Sequence, residues 1–123
     1  MADTIIFGET PSAKDKDCVV VEVPSECDTR QELFDAFELA LGLPEYFGGN
    51  WDAFSESLRD LSWVPQRTVV LHHRDRPLRD NHEFKVYLEI IRECIEDWKE
   101  GEDHRLIAVF PEACRDVITY LMR

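Results

Sequence analysis

The sequence predicts an α/β domain with a small three-stranded parallel sheet and helices packed on it. Three runs rich in β-branched and apolar residues, at 18–23, 68–72 and 106–110, alternate with stretches whose apolar residues recur at helical spacing. Strands separated by helices are joined by crossovers, and crossovers build parallel sheets with right-handed connections. At 123 residues, 44% apolar and 33% charged, the chain is long enough to bury one core without disulfide or metal staples. No repeat, low-complexity tract or linker divides it, so residues 1–123 are read as a single domain.

Thr4-Ile5-Ile6-Phe7 reads as an extra N-terminal strand, followed by a polar stretch over residues 8–17. Cys18-Val19-Val20-Val21-Glu22-Val23 is a β-branched strand closed by Pro24. Asp28 with Gln31 resembles a capping box ahead of Leu33, Phe34, Phe37, Ala40 and Leu41, and this first helix ends near Gly42. Leu43-Pro44 breaks the period, Gly48-Gly49 frees the backbone, and Asn50 is a good cap for a second helix running to about Leu61. Trp51, Phe54, Leu58 and Leu61 follow one side of it. Asp52, Ser55, Glu56 and Arg59 follow another, which should face solvent or a partner.

Thr68-Val69-Val70-Leu71-His72 is the next strand, with a basic loop over residues 74–79 behind it. Phe84, Tyr87, Leu88, Ile91, Ile95 and Trp98 mark a long amphipathic helix whose outer face carries Glu89, Glu93, Glu96 and Glu100, with Gly101 as its stop. Leu106-Ile107-Ala108-Val109-Phe110 is a continuous apolar strand, and Pro111 opens a C-terminal helix through Val117, Ile118 and Leu121.

Twenty-six acidic against 14 basic residues give a formal charge of −12, which argues against binding nucleic acid through its phosphates. A partner held by charge should be basic. Acid is concentrated in residues 43–62 and 83–103, and the segment between them is net basic. No apolar run reaches the length of a membrane span, and the N-terminus lacks the basic and apolar regions of a signal peptide, so no membrane partner and a cytoplasmic location are expected.

Catalytic signals are weak. Cys18, Cys27, Cys94 and Cys114 lack paired metal or redox spacing and are expected to be reduced and half-buried, although a disulfide is left open. Cys94 lies among acids, which raise a thiol's pKa. His72 and His73 point to opposite faces of a strand and cannot share a metal site with His82 without a bulge, so exposed strand-end histidines are expected. Asp52 and Glu56 stand side by side on one helix and cannot oppose each other across a cleft as acid and base. Gly48-Gly49 lacks the glycine spacing and lysine of a phosphate-binding loop. No catalytic residue, metal or cofactor is therefore expected. A solvated helix face would account for much of the acidic stripe, but Tyr46 and Phe47 beside it make a reasonable anchor set for a protein interface.

The run Leu43-Pro44-Glu45-Tyr46-Phe47-Gly48-Gly49-Asn50-Trp51-Asp52-Ala53-Phe54 closely resembles the signature of the barstar family, intracellular inhibitors of small secreted ribonucleases. The likeness in element order extends from about residue 18 to 110, with Trp63 where the family has a tryptophan after its second helix. The leading segment and the C-terminal helix look like additions to the minimal domain. The resemblance implies that the second helix and its preceding loop enter a ribonuclease active site. Tyr46, Phe47, Gly48, Asn50, Trp51, Asp52 and Ser55 then belong to the partner-binding set. Glu56 falls at the family's central inhibitory aspartate, and Glu93 matches an acidic contact on the third main helix. Glu56 is longer than aspartate, Ser55 replaces an aromatic residue, and Trp51 replaces a smaller aliphatic one. The expected partner is a basic ribonuclease or nuclease toxin, met by an immunity-type bacterial inhibitor that is monomeric when free. A barstar-fold module for a basic partner that is not a nuclease is the alternative, because fold does not fix function.

Overall fold

A computed structural model describes residues 5–8, 17–43, 49–98 and 103–123. Along the chain run β1 (Ile5–Phe7), β2 (Cys18–Val23), α1 (Arg30–Leu41), α2 (Trp51–Asp60), β3 (Thr68–His73), α3 (Asn81–Asp97), β4 (Arg105–Phe110), a 3-10 turn (Glu112–Cys114) and α4 (Arg115–Leu121). The strands form one sheet in the order β1-β4-β3-β2, and every pair is parallel. The N-terminal run thus adds a fourth strand, at the edge beside β4, to the three-stranded sheet expected.

Register explains where the core lies. Val21, Leu71, Ala108 and Ile5 form one row across the sheet. Side chains alternate along a strand, so Val21 and Val23, Val69 and Leu71, and Leu106, Ala108 and Phe110 share one face. They belong to one cluster with Leu33, Phe37, Phe54, Leu58, Leu88 and Ile91 of the helices. The steps β2 to β3 to β4 run in one direction across the sheet, so crossovers of one hand put their helices on one face.

The helix ends refine the sequence expectations. The capping box of α1 is Thr29 with Glu32, not Asp28 with Gln31. Thr29 Oγ1 accepts from the Glu32 amide at 3.1 Å, and the Glu32 carboxylate accepts from the Thr29 amide at 3.2 Å. A carboxylate at the third helical position closes the box, and only the register starting at Thr29 supplies one there. Asp28 instead pairs with Arg79 at 3.2 Å. Gly42 ends α1 at φ +64°, a left-handed conformation that glycine adopts without a Cβ penalty. Trp63 Nε1–H donates to the Leu41 carbonyl at 2.8 Å, satisfying one of the orphan acceptors of that helix end. α3 ends at Asp97, with Trp98 as C-cap; Glu100 and Gly101 lie outside the described residues.

The expectation of exposed strand-end histidines fails for His73. As the last residue of β3 it shares the inward face of Val69 and Leu71 and is 1% exposed. Its ring stacks on Phe110 at 3.8 Å, its Nδ1–H donates to the Val109 carbonyl at 2.9 Å, and its Nε2 accepts from the Tyr87 hydroxyl at 2.6 Å. Burial pushes its pKa down to about 3, so the ring is neutral. His72 points the other way and pairs with Glu22 at 2.9 Å. The four cysteines are free thiols, as expected, but only Cys18 is half-buried; Cys27, Cys94 and Cys114 are buried.

Candidate functional site

The acidic face is built on α2. Asn50 Oδ1 accepts from the Ala53 amide at 2.8 Å, which satisfies an orphan donor of the first turn and fixes the start of the helix. Gly49, at φ +70°, gives the chain its left-handed entry into that cap. Phe54, Ser57 and Leu58 are buried, and Asp52 and Glu56 are exposed on the opposite side. Four residues of helix separate these two carboxylates by roughly 6 Å of rise. Among the described residues neither has an ion pair or a side-chain hydrogen bond. Asp52 also lies in the first turn, where the positive end of the helix favours an anion.

The base beneath this face is rigid because aromatic rings interlock there. Trp51 is half-buried: its ring meets Phe34 edge-on at 5.4 Å and Phe54 at 5.8 Å, and its Nε1–H donates to Glu83 at 3.0 Å. Much of this indole is therefore committed to holding the start of α2 against α1 and α3. Arg30 approaches the same Glu83 at 3.7 Å and lies 5.9 Å from the centre of the Trp51 ring. Further along, the Cys94 thiol donates to the Ser55 carbonyl, and Trp98 Nε1–H donates to the Leu58 carbonyl at 2.9 Å. Contacts at 51–83, 55–94 and 58–98 advance together, so α2 and α3 run side by side in the same direction.

Of the residues singled out in the sequence, Asn50, Trp51, Asp52, Ser55 and Glu56 come together at the first turns of α2. Asn50 commits its side chain to the cap, and Ser55 is half-buried against Cys94. Tyr46, Phe47 and Gly48 lie outside the described residues. Glu93 faces α2 from α3, but its carboxylate is held by Arg59 at 3.3 Å, and Arg59 also reaches Asp97 at 2.7 Å. Sequence reasoning missed this clamp and the Trp51–Glu83 hydrogen bond. Arg59 was visible as a cation in an acidic stripe, but its partners lie 34 and more residues away, on a helix whose neighbour the sequence does not name.

The buried thiols do not suit nucleophilic chemistry. Burial is the main cause that raises the Cys94 pKa, Arg59 opposes it, and Asp97 adds little, so neighbouring acids are a minor part of the effect. Cys27 is pushed up to about 11 by burial first and by Glu32 and Asp28 after it. Less thiolate at neutral pH means a weaker nucleophile. Among the described residues no group of three or more His, Cys, Asp or Glu side chains is placed to hold a metal ion, and no helix is long and apolar enough to cross a membrane.

A family model described as Barstar (barnase inhibitor) matches residues 19–112. The matched span runs from β2 to the 3-10 turn and contains all of α2 and α3, while β1 and α4 lie outside it. Comparison with the curated proteins gives no match. The family consists of inhibitors that bind ribonuclease and not of enzymes. With well over half of the sequence matched, in the element order and around the acidic helix just described, the chain belongs to the barstar family.

Proposed function

We propose that this protein inhibits a basic ribonuclease, or another nuclease toxin with a similar site, by occluding the active site with α2 and the loop before it. The observation that carries the reading is the pair Asp52 and Glu56, exposed and unpaired among the described residues, on a firmly anchored helix inside the family match. A ribonuclease must hold phosphate, so its active site is basic. Carboxylates fixed at that spacing can accept charge-assisted hydrogen bonds from its Arg, Lys and His⁺ side chains without offering a bond to cleave. Glu56 takes the central position and Asp52 supports it, with Tyr46, Phe47 and Gly48 contributing from the loop. The formal charge of −12 speeds encounter with a basic enzyme and keeps RNA away. Neither a cofactor nor turnover is involved, and the setting is that of a cytoplasmic immunity protein in a bacterial cell.

The test is inhibition of RNA cleavage by barnase and by basic nucleases encoded beside this protein's gene, with RNA as competitor. Inhibition that RNA relieves competitively is the expected result. Tight binding to a basic nuclease that still cleaves RNA would refute active-site occlusion. Capture of a basic non-nuclease partner through Asp52 and Glu56, with no nuclease inhibited, would favour the alternative of a barstar-fold interaction module.

A further inference from the structure

The acidic face is bounded by cations. At the start of α2, Arg30 is drawn to Glu83 and lies against the Trp51 ring. At its end, Arg59 stands three residues past Glu56, and therefore beside it on the helix surface. Its guanidinium forks to two carboxylates of α3, Glu93 at 3.3 Å and Asp97 at 2.7 Å. The three side chains are 44%, 57% and 50% exposed, so the cluster lies on the surface that a partner covering α2 and α3 would meet. Exposed ion pairs add little to folding stability, so the main consequence of this one is where it leaves charge.

We infer that Arg59 determines specificity on this face: it holds Glu93 and Asp97 and so confines the partner's cations to the Asp52–Glu56 turn. The inference rests on the inhibitor reading. A guanidinium is permanently charged and has five donors, so it can hold both carboxylates together. A partner Arg or Lys approaching Glu93 must displace Arg59 from it while facing a like charge. Like-charge juxtaposition is a repulsive device that excludes wrong partners. Any nuclease that covers α2 and α3 together meets that repulsion and is held less tightly than the carboxylates of the two helices alone would hold it. Removing the charge at position 59 frees two carboxylates and should broaden the range of nucleases bound.

The experiment uses barnase as the probe and reads inhibition and dissociation rate for the full chain, Arg59→Gln, Glu93→Gln and the double variant. Glutamine keeps most of the side-chain length and removes the charge. Arg59→Gln should dissociate roughly three- to tenfold more slowly than the parent, the scale of two exposed ion pairs released for use by the partner. Adding Glu93→Gln should cancel part of that gain, and Glu93→Gln should cost more in the Arg59→Gln background than in the parent, because only there is that carboxylate released from Arg59. A rate for Arg59→Gln equal to or faster than the parent's overturns the inference, as does failure of both proteins to inhibit barnase. Glu56→Ala in the same assay separates the two readings. If it weakens inhibition while Arg59→Gln changes nothing, the inhibitor face stands and the role of Arg59 falls. If barnase is inhibited and Glu56→Ala binds as tightly as the parent, the proposed face itself is wrong.

Discussion

Replacing His73 with glutamine should flatten the acid sensitivity of this protein's stability. In the unfolded chain the imidazole titrates at its ordinary value of 6.5, and in the core it is held near 3. Above about pH 6.5 the ring is neutral in both states and contributes no pH dependence. As pH falls below that value the unfolded chain takes up a proton that the folded one refuses, so stability is lost, at up to about 1.4 kcal/mol per pH unit, until the folded ring titrates. The accumulated loss at about pH 5 is about 2 kcal/mol from this one group. The amide oxygen of the introduced side chain could still accept from the Tyr87 hydroxyl, so His73→Gln avoids orphaning that buried group, although it gives up the stack on Phe110 and starts from a lower stability. Urea unfolding followed by tryptophan fluorescence at about pH 7.5, 6 and 5 measures both curves. The parent should lose about 2 kcal/mol more than His73→Gln between the two extremes, since carboxylates elsewhere contribute alike to both. Parallel curves, or a His73 ring signal that titrates near its ordinary pKa in the folded protein, would refute the buried neutral histidine.

Glu56→Ala and Asp52→Ala should each accelerate dissociation from a cognate nuclease, by about 2–5 kcal/mol for whichever carboxylate is buried in the complex, while Glu96→Ala, exposed on α3, should change affinity little; equal dissociation rates for all three in surface-binding kinetics would count against α2 as the inhibitory face. Ser57 is fully buried and its hydroxyl has no hydrogen-bond partner among the described residues, so Ser57→Ala should raise stability by about 1 kcal/mol in urea unfolding; a loss of that size would mean the hydroxyl is satisfied after all. Thr29→Ala removes the cap of α1 and should cost about 1 kcal/mol, whereas Asp28→Ala removes an exposed ion pair and should cost less; thermal melts in which Asp28→Ala is the more damaging would reassign the cap.

What could be read from the sequence is what local chemistry decides. Runs of β-branched and apolar residues marked β2 to β4, because strands covered in a parallel sheet favour them, and helical periods marked α1 to α4, because burial of one face imposes that period. Asn50 announced the start of α2, because few side chains can accept from a helix's first amides. The run from Leu43 to Phe54 carried the family, and the carboxylates of α2 were visible as an exposed stripe. The shift of the α1 cap from Asp28 to Thr29 lay within reach of the sequence too, since Glu32 is the only acid at the right spacing to close a box there. Tertiary structure alone decided which side chains far apart in the chain would meet. His73 sits in the core because α3 lays Tyr87 over the end of β3, and Trp51 is anchored because Glu83 begins the neighbouring helix. Arg59 and Glu93 are each ordinary surface residues on their own helices, and only the parallel packing of α2 on α3 makes them a pair. Charge and hydrogen-bonding capacity belong to residues and can be counted along a sequence, but whether a charge is free or paired depends on a distance, and distances between helices exist only in the folded chain.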